Sequence, residues 1–262
     1  EGVLLAGNGF AEFSSRLGYR EPTEPEAPAA EKSRSGSKEK KESTSAKRSP
    51  AWLPDRSASL GLVAFDRRDG RILWRFDADQ SLLHNAIVAG GGRVYCLDKL
   101  PRRVEDHLRR RGLAPDGARL VALDARDGRI LWQRTDRTFG TWLAYSATHD
   151  VLIQAGAAAN DRSPDETSKG IAALRASDGR LIWEKPTFSY SGPCILHGET
   201  ILTNTSSYQV SQGALRLADG APATIPHPIT GQPIAWRFTR TYGCNTAIAA
   251  EHLLTFRSGA AG

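Results

Sequence analysis

A seven-residue peptide that ends in tryptophan recurs along this chain, and its period limits the fold more than any other feature. RDGRILW occurs at 68–74 and again, letter for letter, at 126–132, while SDGRLIW follows at 177–183 and TGQPIAW at 230–236. The four tryptophans lie 58, 51 and 53 residues apart. A fixed period of this length indicates a repeat architecture, in which each unit buries its apolar surface against the next.

Each copy of the peptide is predicted to form part of a β-hairpin. Residues 61–66 form a short apolar run, an Asp-Gly turn follows, and residues 71–76 form a second strand. The equivalent hairpins are 119–124 with 129–134 and 170–174 with 180–184. Between the hairpins we predict four further strand pairs: 83–89 with 93–97, 141–148 with 151–155, 193–196 with 201–205, and 245–250 with 253–257. This pattern of antiparallel strands lacks the helices of a βαβ protein.

Stacking of these small sheets predicts the fold. Four antiparallel strands cannot cover both faces of their own sheet, so neighbouring sheets must pack face to face around a common axis, which is the β-propeller arrangement. The nearly continuous apolar strands at 61–65 and 119–123 fit sheets that are covered on both sides. We therefore predict an all-β chain, a partial β-propeller of four-stranded antiparallel blades, with about four blades in residues 1–262. Because the sequence begins with Glu and contains no Met, we expect it to be a fragment.

The spacing of three residues within each repeat carries a family resemblance. Ala64-x-Asp66-x-x-x-Gly70-x-x-x-Trp74 is similar to the tryptophan-docking motif of quinoprotein-type propellers, which are built from PQQ-like repeats. The resemblance implies that each Trp lies beside the small Ala and packs on the next blade. It extends to the noncatalytic branch that includes the propeller subunit of the outer-membrane protein assembly machinery. The docking residues it assigns are Ala64, Gly70, Trp74, Ala122, Gly128, Trp132, Ala173, Gly179, Trp183 and Trp236; in the last copy, Gly231 is one residue too far from Trp236 and residues 219–230 lengthen the hairpin.

Insertions between the second and third strands of the blades are predicted to lie on one face of the propeller, which we call the insertion face. Residues 2–6 supply one strand of a first, incomplete blade, and the first insertion spans 8–58, of which 20–50 has the composition of a disordered segment. The second insertion spans 100–117, and residues 101–113 are predicted to form a short helix. A third spans 157–168.

The charge of the chain belongs to these insertions. The net charge is +6, yet residues 31–48 hold seven basic and three acidic residues, and residues 101–111 hold five basic and two acidic residues. The rest of the chain is therefore about neutral, and no aromatic residues are interleaved with the basic ones, so we expect no nucleic-acid partner. No apolar run is long enough to predict a transmembrane segment. The three cysteines stand far apart, without metal-ligand spacing.

Ligand-binding residues are expected where the channel-lining strands begin on the insertion face, because propellers concentrate polar and aromatic groups there. These candidates are His84, Asn85, Trp142, Tyr190, Cys194, Arg240, Tyr242 and Asn245. No catalytic residue and no metal site is predicted.

The sequence leaves two main functions open. The first is a scaffold that binds a protein, peptide or glycan at its loop-bearing face, without a cofactor. The second is a propeller enzyme, and the resemblance implies that a dehydrogenase of this kind would hold pyrroloquinoline quinone (PQQ) with calcium at the channel mouth. A sensor or fusion module is a third possibility. The resemblance also implies an extracytoplasmic location, in the periplasm or cell envelope.

Overall fold

A computed structural model describes residues 2–11, 55–114, 117–156, 169–205, 213–236, 238–239, 248–250 and 253–255. Its strands are β1 Val3–Gly7, β2 Phe10–Ala11, β3 Asp55–Asp66, β4 Ile72–Gly90, β5 Arg93–Asp98, β6 Arg119–Asp124, β7 Ile130–Arg134, β8 Trp142–Ser146, β9 Val151–Ala155, β10 Lys169–Arg175, β11 Leu181–Ser189, β12 Ser191–His197, β13 Thr200–Thr205, β14 Leu215–Arg216, β15 Thr224–Pro226, β16 Pro233–Ala235, β17 Phe238–Thr239, β18 Ile248–Ala250 and β19 Leu253–Thr255. One helix, α1 Arg102–Arg110, interrupts them within the described residues. The predicted disorder of residues 20–50 lies outside the described residues.

The strands form the predicted β-propeller blades. The third blade is a four-stranded antiparallel sheet in the order β11-β10-β9-β8, and the fourth is built on β12-β13-β14, with β17 parallel to β13. β18 and β19 form a separate hairpin at the position predicted for a fifth blade. The all-β fold class and the partial propeller are thus confirmed.

The first two blades depart from the predicted separation because one strand runs through both. β4 has 19 residues; its first part pairs with β3 and its last part pairs with β5, so the two blades share a sheet. β3 likewise begins earlier than predicted, inside the predicted first insertion, since Ala58 and Ser59 pair with Leu83 and Leu82. The peptide between the two parts, DADQS at 77–81, has no Gly or Pro to end the strand.

Three of the four hydrophobic clusters in the described residues lie between neighbouring blades. The core between the second and third blades, for example, joins Tyr95 and Leu120 of one sheet to Leu152 and Leu174 of the next, and all four side chains are almost fully buried. Because the second blade faces the first blade on one side and the third blade on the other, its strands need apolar residues on both faces. This accounts for runs such as RLVALD in β6, where four consecutive residues are buried.

The recurring tryptophans fasten each blade to the next. Trp74 pairs with Ala64 across the hairpin, and its indole N–H donates a 3.0 Å hydrogen bond to the carbonyl of Ala125 in the following blade. A Cβ placed on Gly128 would lie 2.7 Å from the Trp74 ring, so only glycine fits beneath the indole. Gly128 also has φ +74°, a conformation that glycine adopts without strain.

The same geometry is repeated at the next two junctions. Trp132 donates to the carbonyl of Ala176 at 2.9 Å and lies on Gly179. Trp183 donates to the carbonyl of Leu217 at 2.9 Å and lies on Gly220.

The fourth repeat differs from its predicted form. Its docking glycine is Gly220, in the turn after β14, whereas Gly231 belongs to a second turn and no atom would come within 4 Å of a Cβ there. The extra hairpin β15–β16 is inserted between this turn and Trp236. The prediction that used Gly231 was wrong because the lengthening lies after the docking turn, not within it. Trp236 packs against a small cluster around Leu202.

Candidate binding groove on the insertion face

A groove opens on the insertion face between the second and third blades. Its walls come from three chain segments: the α1 insertion between β5 and β6, the β7–β8 connection, and the beginning of β10 with the facing part of β11. The groove has a volume of about 660 Å³, which lies within the range of ligand-binding clefts. Its lining residues are Lys99, Glu105, Arg109, Gly117, Ala118, Arg137, Thr138, Phe139, Gly140, Lys169, Gly170, Ile171, Glu184 and Pro186.

Helix α1 forms the first wall, and local sequence signals define both of its ends. Pro101 precedes the helix, and its carbonyl accepts the backbone N–H groups of Val104 and Glu105. At the other end Gly112 has φ +73°, and Leu113 N–H donates to the carbonyl of Leu108, as in a Schellman cap. The buried Leu108 side chain holds the helix against the propeller. The predicted helix is therefore present, and its charged side chains border the groove.

The side chain of Gln80 closes the base of the α1 insertion. Its amide nitrogen donates a 2.7 Å hydrogen bond to the carbonyl of Gly117, and its amide oxygen accepts a 3.0 Å bond from the backbone N–H of Leu100. One nearly buried amide thus joins the two ends of the segment 100–117. Buried amides of this kind are costly unless both ends are satisfied, so the arrangement also fixes the amide orientation.

The β7–β8 connection is fixed by a second buried amide and by a glycine. The Gln154 side chain, 1% exposed, donates to the carbonyl of Phe139 at 2.7 Å. Gly140 follows with φ +77°, and a Cβ there would lie 2.2 Å from the carbonyl oxygen of Ala155. A larger residue at 140 would therefore push this wall away from the sheet.

Tyr190 closes the base of the third insertion. Its hydroxyl accepts the backbone N–H of Gly156 and donates to the carbonyl of Gly170, both at 2.6 Å. These two glycines flank residues 157–168, so one buried phenol ties together the ends of the insertion and places Lys169 and Gly170 at the groove.

Charged side chains dominate the rim of the groove. Two ion pairs lie there: Arg137 with Glu184 at 2.9 Å and Arg109 with Glu105 at 3.8 Å. Arg137 has φ +51°, one of two non-glycine residues with positive φ in the described part of the chain. Its exposed side chain forms the ion pair with Glu184.

The ligand-binding residues predicted from sequence do not line this groove. His84 and Asn85 are exposed, and His84 Nε2 lies 2.7 Å from the hydroxyl of Ser59. Trp142 is half-buried against the core between the third and fourth blades. The remaining predicted residues, Arg240, Tyr242 and Asn245, lie outside the described residues.

Two of the predicted ligand-binding side chains are core residues, which corrects the prediction. Tyr190 is 2% exposed and Cys194 is 4% exposed, and both belong to the core between the third and fourth blades. In the fourth blade the residues at this position have apolar neighbours in the core, so Tyr190 and Cys194 turn inward, whereas His84 and Asn85 at the equivalent position of the second blade are exposed. Tyr190 serves the groove indirectly, through the two backbone groups that it binds.

The carboxylates of the docking turns and of Asp98 have structural roles in the described residues. Asp66, Asp124 and Asp178 each accept a backbone N–H two residues further along the docking turn. Asp98 is fully buried and accepts three backbone N–H groups together with Arg119. No group of three or more His, Cys, Asp or Glu side chains suited to a metal occurs in the described part of the chain. These residues therefore do not fit the calcium of a quinone cofactor.

The blades, the docking tryptophans and the groove together define a β-propeller of the PQQ-like repeat class. The sequence profile of a family described as outer membrane protein assembly factor BamB matches residues 49–222, more than half of the chain. The chain belongs to this family. No curated protein is significantly similar to it in sequence.

Three solved structures are similar to the chain at low identity. The computationally designed Ika8 protein has a TM-score of 0.47 and 10% identity over 76% of this chain and 50% of that chain. BamB from Moraxella catarrhalis has a TM-score of 0.37 and 13% identity over 77% of each chain. A quinohemoprotein alcohol dehydrogenase from Pseudomonas putida HK5 has a TM-score of 0.38 and 15% identity over 68% of this chain and 35% of that chain. The chain thus spans half the length of the designed protein.

Proposed function

We propose that this protein is a noncatalytic scaffold that binds another protein at the groove between its second and third blades. The observation that carries the proposal is the fixing of all three groove walls by buried polar side chains, Gln80, Gln154 and Tyr190. A surface held in one conformation before binding loses less conformational entropy when a partner docks. Binding residues in proteins often lie on loops that a rigid scaffold holds in position.

The family supports a class of partner and a compartment for this proposal. Its description is that of an outer-membrane protein assembly factor, so the proposed partner is a protein that takes part in outer-membrane assembly, and the proposed location is the periplasm or cell envelope. Among the described residues no helix has the length and apolar character of a membrane span. A glycan or a free peptide, the other ligands that the sequence left open, has no support from the family.

Site-specific crosslinking tests the groove as the binding surface. With a photoreactive amino acid in place of Thr138, which lines the groove, irradiation of the full-length protein in cell envelopes is expected to give a discrete crosslinked product. Mass spectrometry is expected to identify the captured chain as an outer-membrane assembly protein.

The matched control places the same amino acid at Ile229, which is 88% exposed in the turn between β15 and β16 and does not line the groove. This position is expected to give no such product. If position 229 captures the same protein and position 138 does not, the groove is not the binding surface.

The alternative of a quinone-dependent dehydrogenase makes a separate prediction. A ligand that binds the folded state at a hundredfold excess over its Kd stabilises it by about 2.7 kcal/mol, which raises the melting temperature of a domain of this size by about 5 to 11 °C. We expect no rise when PQQ and calcium are added to the full-length protein, because no group of three or more His, Cys, Asp or Glu side chains suited to a metal occurs in the described part of the chain. A rise that needs both PQQ and calcium would favour the dehydrogenase.

A further inference from the structure

The docking turn of the first blade has the same backbone as the turns on which a tryptophan lies, but it is exposed. Gly70 has φ +73°, and the docked glycines Gly128 and Gly179 have φ +74° and +73°. A Cβ placed on Gly128 would lie 2.7 Å from the Trp74 ring, whereas one on Gly70 would have no atom of the described residues within 4 Å. Gly70 is exposed, while Gly179 is buried. The first turn therefore has the shape that receives an indole and a surface open to one.

A carbonyl suited to accept an indole N–H lies in the same turn. At the three docked junctions the acceptor is the residue three positions before the docking glycine: Ala125, Ala176 and Leu217. Arg67, which is exposed, holds this position before Gly70. Its N–H donates to the carbonyl of Gly2 at 2.8 Å, as the Ala125 N–H donates to Gly92 at 2.9 Å. The neighbouring strand thus fixes this peptide in the same way, and the Arg67 carbonyl is in position to accept the bond.

The first blade also carries an exposed apolar pair at a position that the other blades bury. Leu4 of β1 pairs with Phe65 of β3. The equivalent pairs in the second, third and fourth blades pack against the preceding blade and are at most 2% exposed: Val94 with Leu123, Leu152 with Leu174, and Ile201 with Leu215. Leu4, in contrast, is 53% exposed. The sequence therefore provides the first blade with the apolar residues of an interface between blades.

We propose that a further blade of the same polypeptide, outside the residues described here, packs on this face of the first blade. Its docking tryptophan lies on Gly70 and donates its indole N–H to the Arg67 carbonyl, while its apolar side chains cover Leu4 and Phe65. This contact repeats the interface that joins the described blades and closes the series of blades into a ring. The inference does not depend on what binds in the groove.

A second copy of the chain suits this face less well. The indoles of Trp74, Trp132 and Trp183 already lie on the following blade of their own chain. Trp236 packs in the cluster around Leu202, and the β18–β19 hairpin follows it at the position of a fifth blade. Within the described residues, the chain therefore has no exposed motif tryptophan to offer to another copy.

The variant Gly70→Ala in the full-length protein tests the contact. Gly231 supplies the matched control, because it has φ +69° and equally open surroundings in the described residues, so alanine imposes similar backbone strain at both positions. We expect Gly70→Ala to lower the melting temperature as much as Gly179→Ala, since both displace a docked indole, and by several degrees more than Gly231→Ala. Equal shifts for Gly70→Ala and Gly231→Ala would overturn the inference.

Photocrosslinking identifies the occupant even if Gly70→Ala fails to fold. A diazirine amino acid of leucine size replaces Leu4, and isotopically light and heavy samples of the purified full-length protein are mixed before irradiation. We expect position 4 to crosslink to a peptide of its own chain, light with light and heavy with heavy. The same amino acid at Ile229, which is 88% exposed, is expected to give no such intrachain product.

Each other crosslinking result contradicts the inference in its own way. Products that join light to heavy peptides would assign the face to a second copy of the protein. A product formed only in cell envelopes, with a different protein, would assign the face to a separate partner. Absence of any product from position 4 would show that Leu4 stays exposed in the full-length protein.

Discussion

Replacing Trp132 by alanine is expected to lower the free energy of unfolding by about 3 to 5 kcal/mol, the usual range for truncating a core aromatic residue. The variant loses the indole contact with Gly179, the hydrogen bond to the carbonyl of Ala176, and the aromatic contact with Tyr95, whose ring centroid lies 6.0 Å away. The contacts with Gly179 and Ala176 join the second blade to the third, and the contact with Tyr95 supports the indole from within the second blade. Equilibrium denaturation of the full-length protein measures the loss.

A pair of glycine variants isolates the role of the indole. Gly179 and Gly231 both have positive φ, +73° and +69°, but only Gly179 lies under a tryptophan. Alanine at either position incurs backbone strain of about 1 to 2 kcal/mol, while Gly179→Ala also displaces the Trp132 ring, which overpacking studies put at about 1 to 3 kcal/mol more. Equal losses for the two variants would contradict the docking role of the indole. The change Trp52→Ala, in the first insertion predicted from sequence, is expected to cost much less than Trp132→Ala.

The second large effect is expected from Asp98→Asn, with a loss of about 3 kcal/mol. Each carboxylate oxygen of Asp98 accepts two donors: Oδ1 accepts the backbone N–H groups of Gln80 and Ser81, and Oδ2 accepts the N–H of Asp79 and the Arg119 side chain. Either orientation of an asparagine amide would place its NH₂ against two of these donors. Breaking one side of a buried charge pair typically costs about 3 to 5 kcal/mol, and the remaining 2.9 Å ion pair between Arg119 and Asp79 offsets part of this.

Hydrogen exchange separates the Asp98 effect from a general loss of stability. The Asp98 carboxylate accepts the backbone N–H of Gln80, and the Gln80 side chain accepts the backbone N–H of Leu100. Asp98→Asn is therefore expected to speed exchange of the Leu100 N–H. The control Asp69→Asn changes a carboxylate that is 60% exposed in a docking turn and is expected to cost less than about 1 kcal/mol. Comparable losses for the two variants would show that Asp98 is not the centre of the network.

Most of the fold was predictable because its signals are local and repeated. The Asp-Gly turn, the small Ala and the Trp recur at fixed spacing, and each has one physical role: positive φ, room for the indole, and contact with the next blade. The predicted strand at 83–89 merged with the preceding one because no local signal encodes the junction. The carboxylate of Asp98 binds the backbone N–H groups of residues 79–81 from a neighbouring strand, a contact that sequence spacing does not reveal.

The fourth repeat shows where pattern reasoning fails. Gly220 and Gly231 each lie in a turn that could serve as the docking turn. Counting residues back from Trp236 selects Gly231, which is not the docking glycine. Counting forward from Ala214 would have selected Gly220, since Ala214-x-Arg216-x-x-x-Gly220 has the spacing of the other copies. The alanine that precedes the docking turn predicts the position of its glycine. The number of residues between this turn and the following tryptophan can vary, because a hairpin can be inserted there.

The groove was not predictable from the sequence because its parts are far apart in the chain. Lys99, Phe139 and Glu184 meet only after two blades have packed together. The one available signal was the predicted helix at 101–113, whose five arginines make this insertion basic. Conversely, Tyr190 and Cys194 were selected by position at the beginning of a strand, although apolar neighbours such as Phe188 and Ile195 indicate a strand end that is buried.

The docking contact has a direction: the tryptophan of one blade enters the glycine turn of the following blade, and that blade offers its own tryptophan onward. Every unit thus combines a donor side and a receptor side, and the interface is heterologous in the sense used for head-to-tail assemblies. Duplication of one unit would supply a matching contact on both sides without any compensating mutation. Propellers joined in this manner have a direct evolutionary route to a changed number of blades.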